Sequence, residues 1–300
     1  MPGRQVISKS AGSSEELSSG SDGWVISADT RDGVAARLRE LWQYRRIFVF
    51  FSIKAVQSLY AKTRLGIPWL FIRTLVPLAV GSFVFGAVMQ VPSGMVPYFI
   101  FFTTGQLAWN CFDGPLLRCS RGIDSHRELL RKLYIPRMIV PLGQISAGLV
   151  KPAIIGVVFV GSVIYYRVTD GVWPVRPGWN VLRAILAGLL ILTFAMSMSL
   201  WTSIWLARAR DVRFVLRHVL GFWFIVTPVI YPLSMVPSDI RWLAYLNPLT
   251  APVEMFKSGI LPDVAYSWPW FGYSVILTLA VLCSGAWHFA RSEGVTMDKL

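Results

Sequence analysis

Six long apolar stretches, at roughly 67–89, 95–117, 138–166, 181–207, 218–233 and 270–290, restrict this chain more than any other feature. Most hold about 20 residues or more, which as helix is about 30 Å, the thickness of a bilayer's hydrocarbon core. The expected fold class is therefore an all-α polytopic membrane protein with six transmembrane helices. Composition agrees: 54% of the 300 residues are hydrophobic and only 15% are charged, where a soluble domain has nearer a quarter. The fifth stretch is short and is broken by Pro228 and Pro232. A run with few charges follows it to Asp263, holding Trp242, Leu243, Tyr245, Leu246 and Met255. It is expected to form a re-entrant segment on the extracytoplasmic side, since irregular backbone at membrane depth must be buried in protein or line a cavity.

Lys and Arg set the orientation. One side of the membrane receives 31–64, 118–137, 208–217 and 291–299, with about 20 basic residues. The other receives 90–94, 167–180 and 234–269, with about four. This asymmetry places both termini in the cytoplasm of an inner-membrane, multi-pass protein. It also accounts for the net charge of +13 without nucleic acid, because basic loops face an anionic leaflet. Residues 1–33, rich in Ser, Gly, Asp and Glu and lacking an apolar run, are expected to be a disordered cytoplasmic tail with no cleaved signal peptide. Residues 34–66 mix aromatics with Arg and Lys and suit an amphipathic helix lying in the inner interface. Residues 67–290 form the six-span domain, and 291–300 a cytoplasmic C-terminus.

Enzymatic chemistry finds little footing. Six of the 16 acidic residues lie before Leu41, and His126, His218 and His288 are scattered. No His-Glu-x-x-His, Cys-x-x-Cys or phosphate-binding GxxxxGK[ST] sequence occurs. Three cysteines, Cys111, Cys119 and Cys283, fit no disulfide framework. A serine nucleophile has no readable partner constellation.

Two groups of residues stand out instead. Between the second and third stretches, Ser125 and Glu128 fit a capping box that opens a short helix. Leu129, Leu130, Leu133 and Tyr134 make its apolar face, Arg127, Arg131 and Lys132 its basic one, and Pro136 stops it. It is either a helix on the lipid surface or a docking element for a cytoplasmic partner. In the second stretch, Gln106, Trp109, Asn110 and Asp113 fall at i, i+3, i+4 and i+7, one stripe of one helix. Such a stripe either glues helices together or lines a path. Lys151, near the middle of the third stretch, is costly in lipid. It either snorkels along a tilted helix or meets Asp113, Glu254 or an anionic substrate. Aromatics crowd the second and fifth stretches, where Phe224 and Tyr231 could extend a lining.

Four segments then carry a resemblance. Leu133-Tyr134-Ile135-Pro136-Arg137 is similar to the Val/Leu–aromatic–aliphatic–Pro-Arg signature of ABC-2-type polysaccharide exporter permeases. The Arg-Asp loop from Ala207 to Arg213, the Thr227-Pro…Tyr231-Pro232 and Asn247-Pro248-Leu249 pair, and the Tyr60-x-x-Thr63-x-Leu65-Gly66 turn match the same family in order. The resemblance implies a homodimer with two separate ATPase subunits, which bind ATP and Mg, while this chain binds no cofactor. Its substrate would be a lipid-linked polysaccharide such as O antigen, teichoic acid, capsule or galactan. It implies ATPase coupling through Ser125, Glu128, Leu129, Arg131, Lys132, Leu133, Tyr134 and Arg137. A conduit would run along Gln106, Trp109, Asn110, Asp113, Lys151, Phe224 and Tyr231. An ABC-2 permease for a drug or lipid, and a membrane-embedded glycosyl- or acyltransferase, are the competing readings.

Overall fold

The computed structural model describes residues 45–61, 63–122, 142–171, 173–176, 178–209 and 211–295, and no strand occurs among them. Helix α1 spans Arg45–Gln57 and buries Phe51 and Ala55. Gly143 lets it lie close to the start of the third long helix: a Cβ there would stand 2.8 Å from Phe51 Cβ. Ser146 Oγ also donates to the Ser52 carbonyl at 3.0 Å. Residues 34–44 of the expected interfacial helix lie outside the described residues, as does most of the 118–137 segment.

The turn after α1 explains its own sequence. Thr63 Oγ1 donates to the Tyr60 carbonyl at 2.8 Å. Gly66 has φ of 60°, a conformation that side chains resist, and Pro68 follows inside the first turn of the next helix. That helix, α2, runs Ile67–Ser82 and continues as a π-helical segment, Phe83–Val88. The sequence reads as one uninterrupted span, whereas the structure changes winding at Phe83. Along it Gly81 and Gly86 present bare backbone to the rings of Phe102 and Tyr98, which a Cβ would meet at 2.8 and 2.6 Å.

Helix α3, Tyr98–Ser120, is the centre of the molecule. It packs most extensively against α4, Ile145–Asp170, and α5, Val181–Arg208. The α3–α4 crossing is tight because Gly114 and Gly148 face one another; a Cβ on Gly148 would lie 2.5 Å from Pro115 N. Toward α5, Ser120 and Thr202 hydroxyls meet at 2.5 Å, as small and hydroxylated residues do between membrane helices.

Helix α6, Val212–Val226, starts and ends earlier than the apolar stretch at 218–233. At 15 residues it covers only about 22 Å. Pro228 sets its end, since the residue before a proline is driven out of the helical region, and Thr227 is extended at ψ 135°. A bend, a single 3₁₀ turn at Leu233–Met235 and the short α7, Arg241–Leu246, lead to α8, Thr250–Ile260. Every residue from Thr250 to Gly259 is buried. Gly259 seats α8 against the Ala184 backbone of α5. Helix α9, Trp268–Val295, packs on α5 and ends the described chain.

Four helical stretches among the described residues are long and apolar enough to cross a membrane: Ile67–Val88, Ile145–Asp170, Val181–Leu206 and Trp268–His288. Helix α3 has the length, 23 residues, but carries Gln106, Asn110, Asp113 and Arg118. The chain is a helical membrane protein whose most polar long helix is also its most buried, the inverse of a soluble fold.

Candidate functional site

The polar stripe of α3 opens onto a cavity of about 420 Å³ between α2, α3, α4 and α6. Thr74, Pro77 and Leu78 face it from α2, and Gln106, Trp109, Asp113 and Leu117 from α3. Lys151 and Ile155 face it from α4, and Arg217, Leu220, Gly221 and Phe224 from α6. Five of the residues expected from sequence thus share one space: Gln106, Trp109, Asp113, Lys151 and Phe224. Trp109 and Phe224 are in ring contact, with centroids 5.3 Å apart and planes at 60°.

The other two residues stand elsewhere. Asn110 is fully buried behind the lining; its Nδ2 donates to the Gln106 carbonyl at 2.7 Å and to Gln106 Oε1 at 3.0 Å. The helical wheel gives the reason: Trp109 and Asn110 lie about 60° and 40° to opposite sides of Gln106, so the stripe has an edge that packs. Tyr231 lies beyond the Pro228 bend, where its hydroxyl donates to the Val226 carbonyl at 3.2 Å. The neighbouring aromatics separate by face. Phe101, Phe102 and Phe112 are core, while Phe222 points outward, 73% exposed. Phe112 stacks on Phe194 at 5.6 Å and meets Trp223 edge-on at 5.3 Å, forming the aromatic wall behind Trp109. The coupling residues Ser125, Glu128, Leu129, Arg131, Lys132, Leu133, Tyr134 and Arg137 lie outside the described residues.

Charge in the cavity is lopsided. Asp113 is within electrostatic reach of Lys151 and Arg217. Arg73 lies near Lys151 and Arg118, and Arg121 near Arg213 and Arg217. One carboxylate against a file of cations leaves a positive potential on that end of the space, which favours an anionic group. Of the two acids expected for Lys151, Asp113 is the one within its electrostatic reach. Glu254 instead pairs with Lys257, Nζ to Oε1 3.5 Å, on the buried helix α8. No group of three His, Cys, Asp or Glu able to hold a metal ion occurs among the described residues.

Sequence reasoning missed Arg217 and Lys257, and offered Glu254 only as a partner for Lys151. Arg217 looked like loop, yet its i, i+4 spacing from Arg213 is a helical signal. Lys257 looked like an outer-loop charge, yet an acid and a base three apart in an apolar run mark a helix that carries its counter-ion with it.

The model of one protein family, described as ABC-2 type transporter, matches residues 48–261. The chain is also similar to the O-antigen export system permease protein RfbA of Myxococcus xanthus, 26% identical over 249 residues, covering 81% of this chain and 92% of that protein. Because the span matched by the family model includes the turn before α2, the whole cavity and the bend beyond it, the chain belongs to the ABC-2 type transporter family.

Proposed function

We propose that this chain is the membrane-spanning subunit of an ABC exporter that moves a lipid-linked polysaccharide across the cytoplasmic membrane. A separate ATPase subunit on each of two copies drives it. The cavity is the observation that supports this reading most. Its wall combines two aromatic faces, Trp109 and Phe224, with the amide of Gln106 and the charges of Asp113, Lys151 and Arg217. Aromatic faces stack on the apolar C–H faces of sugar rings and amides bind hydroxyls, whereas the cations suit an anionic lipid linkage. The relative from Myxococcus xanthus, a permease protein of an O-antigen export system, points the same way.

In this reading α3 and α6 complete six crossings, the bend through α8 is the re-entrant segment, and both termini face the cytoplasm. The cavity is half of a conduit. The span Ile67–Val88, which is α2 with its π-helical continuation, is mostly unburied. Phe214, Val215, Val219, Phe222 and Ile225 of α6 are bare. These two helices flank the cavity, so a second copy meeting them closes the path. ATP closes the ATPase dimer, and the 118–137 segment passes that motion to α3 and α4, between which it runs.

Export of glycan by the intact complex in proteoliposomes tests the reading. Trp109→Ala is expected to abolish export while assembly and basal ATP hydrolysis persist, with Trp109→Phe as the packing control. Full export in the alanine variant, or loss of assembly in both, counts against a conduit.

A further inference from the structure

The bend after α6 is held by side chains from three directions. Lys257 is fully buried, and its ammonium donates to the Pro228 carbonyl. It also sits 4.2 Å above the centroid of the Phe101 ring and 3.5 Å from Glu254. From α3, the Tyr98 hydroxyl donates to the Ile230 carbonyl at 2.7 Å. From the α7–α8 turn, Asn247 Nδ2 donates to the Thr227 hydroxyl at 2.9 Å. Gly105 admits the bend against α3, because a Cβ there would strike the Val229 carbonyl and approach Lys257 Cε at 3.2 Å. A helix broken at membrane depth frees carbonyls that only protein can satisfy, and here buried side chains supply that need.

The position of the bend matters. It begins three residues past Phe224, at the end of the cavity that holds Gln106 and away from Arg217. Val229 at its centre is fully buried. Glu254 and Lys257 make a costly choice of glue, since a neutral donor could have capped one carbonyl. A cation held by its own helix's carboxylate and by one carbonyl of another element makes a contact that can be let go without unfolding either helix.

We propose that Lys257, with Glu254 beside it on the same helix, is a positioning residue: a pin that fastens the Thr227–Tyr231 bend shut over the far end of the cavity. Its consequence for transport rests on the conduit reading above. The pin itself is a statement about the bend and can fail or stand alone.

The test reads water access to the bend. Val229→Cys is placed in a chain with Cys111, Cys119 and Cys283 replaced, co-expressed with its ATPase subunits, and exposed to a membrane-impermeant maleimide. With the native pair the thiol is protected. The neutral pair Glu254→Gln/Lys257→Met removes the donor without stranding a charge, and is expected to raise the labelling rate more than about tenfold. Tyr98→Phe removes only the bond to Ile230 and is expected to raise it about fivefold. A neutral-pair variant that assembles normally and stays protected overturns the pin. So does a neutral pair that fails to assemble while Tyr98→Phe stays protected, which assigns the pair to folding alone. Raised labelling alongside normal export by Trp109→Ala would leave the pin and remove the conduit; protection alongside lost export would do the reverse.

Discussion

Asn247 donates its side-chain amide to the Thr227 hydroxyl at 2.9 Å, and so joins two proline-containing motifs 20 residues apart. Its carbonyl oxygen accepts from Trp223 Nε1 at 2.8 Å and from Leu249 N at 3.1 Å. Thr227 Oγ1 in turn donates to the Trp223 carbonyl at 2.8 Å. The loop of bonds closes on itself. It fixes the rotation of α6 at the point where Trp223 faces the core and Phe224 faces the cavity.

Stability should therefore respond unequally to the two partners. Asn247→Ala strands the Trp223 and Leu249 donors and is expected to cost about 3 kcal/mol. Thr227→Val keeps the shape and leaves only the Asn247 amide short of an acceptor, for about 1 kcal/mol. Thermal denaturation of the purified protein orders the two. Equal midpoints would mean that the stranded donors do not set the cost.

Glycine contacts give a second, sharper contrast. Gly148→Ala drives a methyl into the Pro115 backbone, which cannot step aside as a side chain can, at a cost on the order of 3 kcal/mol. Gly161, on the same helix, has nothing within 4 Å of an added Cβ. Gly161→Ala is expected to be neutral or to gain up to about 1 kcal/mol. The yield and thermal midpoint of the extracted protein check both.

The sequence made the helical class, the four most apolar spans and the polar stripe of α3 readable, because each rests on local spacing. Gln106, Trp109 and Asp113 reach the cavity as that spacing requires. The assignment of Asn110 to packing depended on which neighbour crosses α3 at the stripe's edge, and no single helix encodes that. Lys257 shows the same limit from the other side. Its charge counted toward a loop, while its burial comes from Phe101, Pro228 and Glu254 converging from three elements. The π-helical winding of Phe83–Val88 has no signature in its own residues; Gly81 and Gly86 gain meaning only once Phe102 and Tyr98 lie across them.

Coupling to the ATPase can be tested at residues outside the described part of the chain. If the 118–137 segment is the docking element, Arg131→Glu with Lys132→Glu reverses its basic face without touching the spans. The pair is expected to insert normally and to leave ATP hydrolysis running without export. Hydrolysis and export measured together in one vesicle preparation decide this, and unchanged coupling would exclude docking through that face.

The charges of the cavity allow the finest discrimination. Lys151 and Asp113 line the same space, and Arg217 faces them. Lys151 could serve only to balance Asp113, since a lone carboxylate at that depth is expensive. In that case Lys151→Met impairs the protein by exposing Asp113, and adding Asp113→Asn restores it. Lys151 could instead meet an anionic group on the substrate. Then Lys151→Met lowers export, Lys151→Arg retains it, and Asp113→Asn brings no rescue, because the lost partner was never Asp113. The second outcome is expected: Arg73, Arg118, Arg121 and Arg213 extend the positive field well past what one carboxylate needs. A drop in export of about tenfold corresponds to about 1.4 kcal/mol, within reach of one charge-assisted contact. The double variant is the decisive measurement. Recovery of export to the native rate would show that the pair is internal balance and that the substrate's anion, if it is held here, is held by the arginines alone.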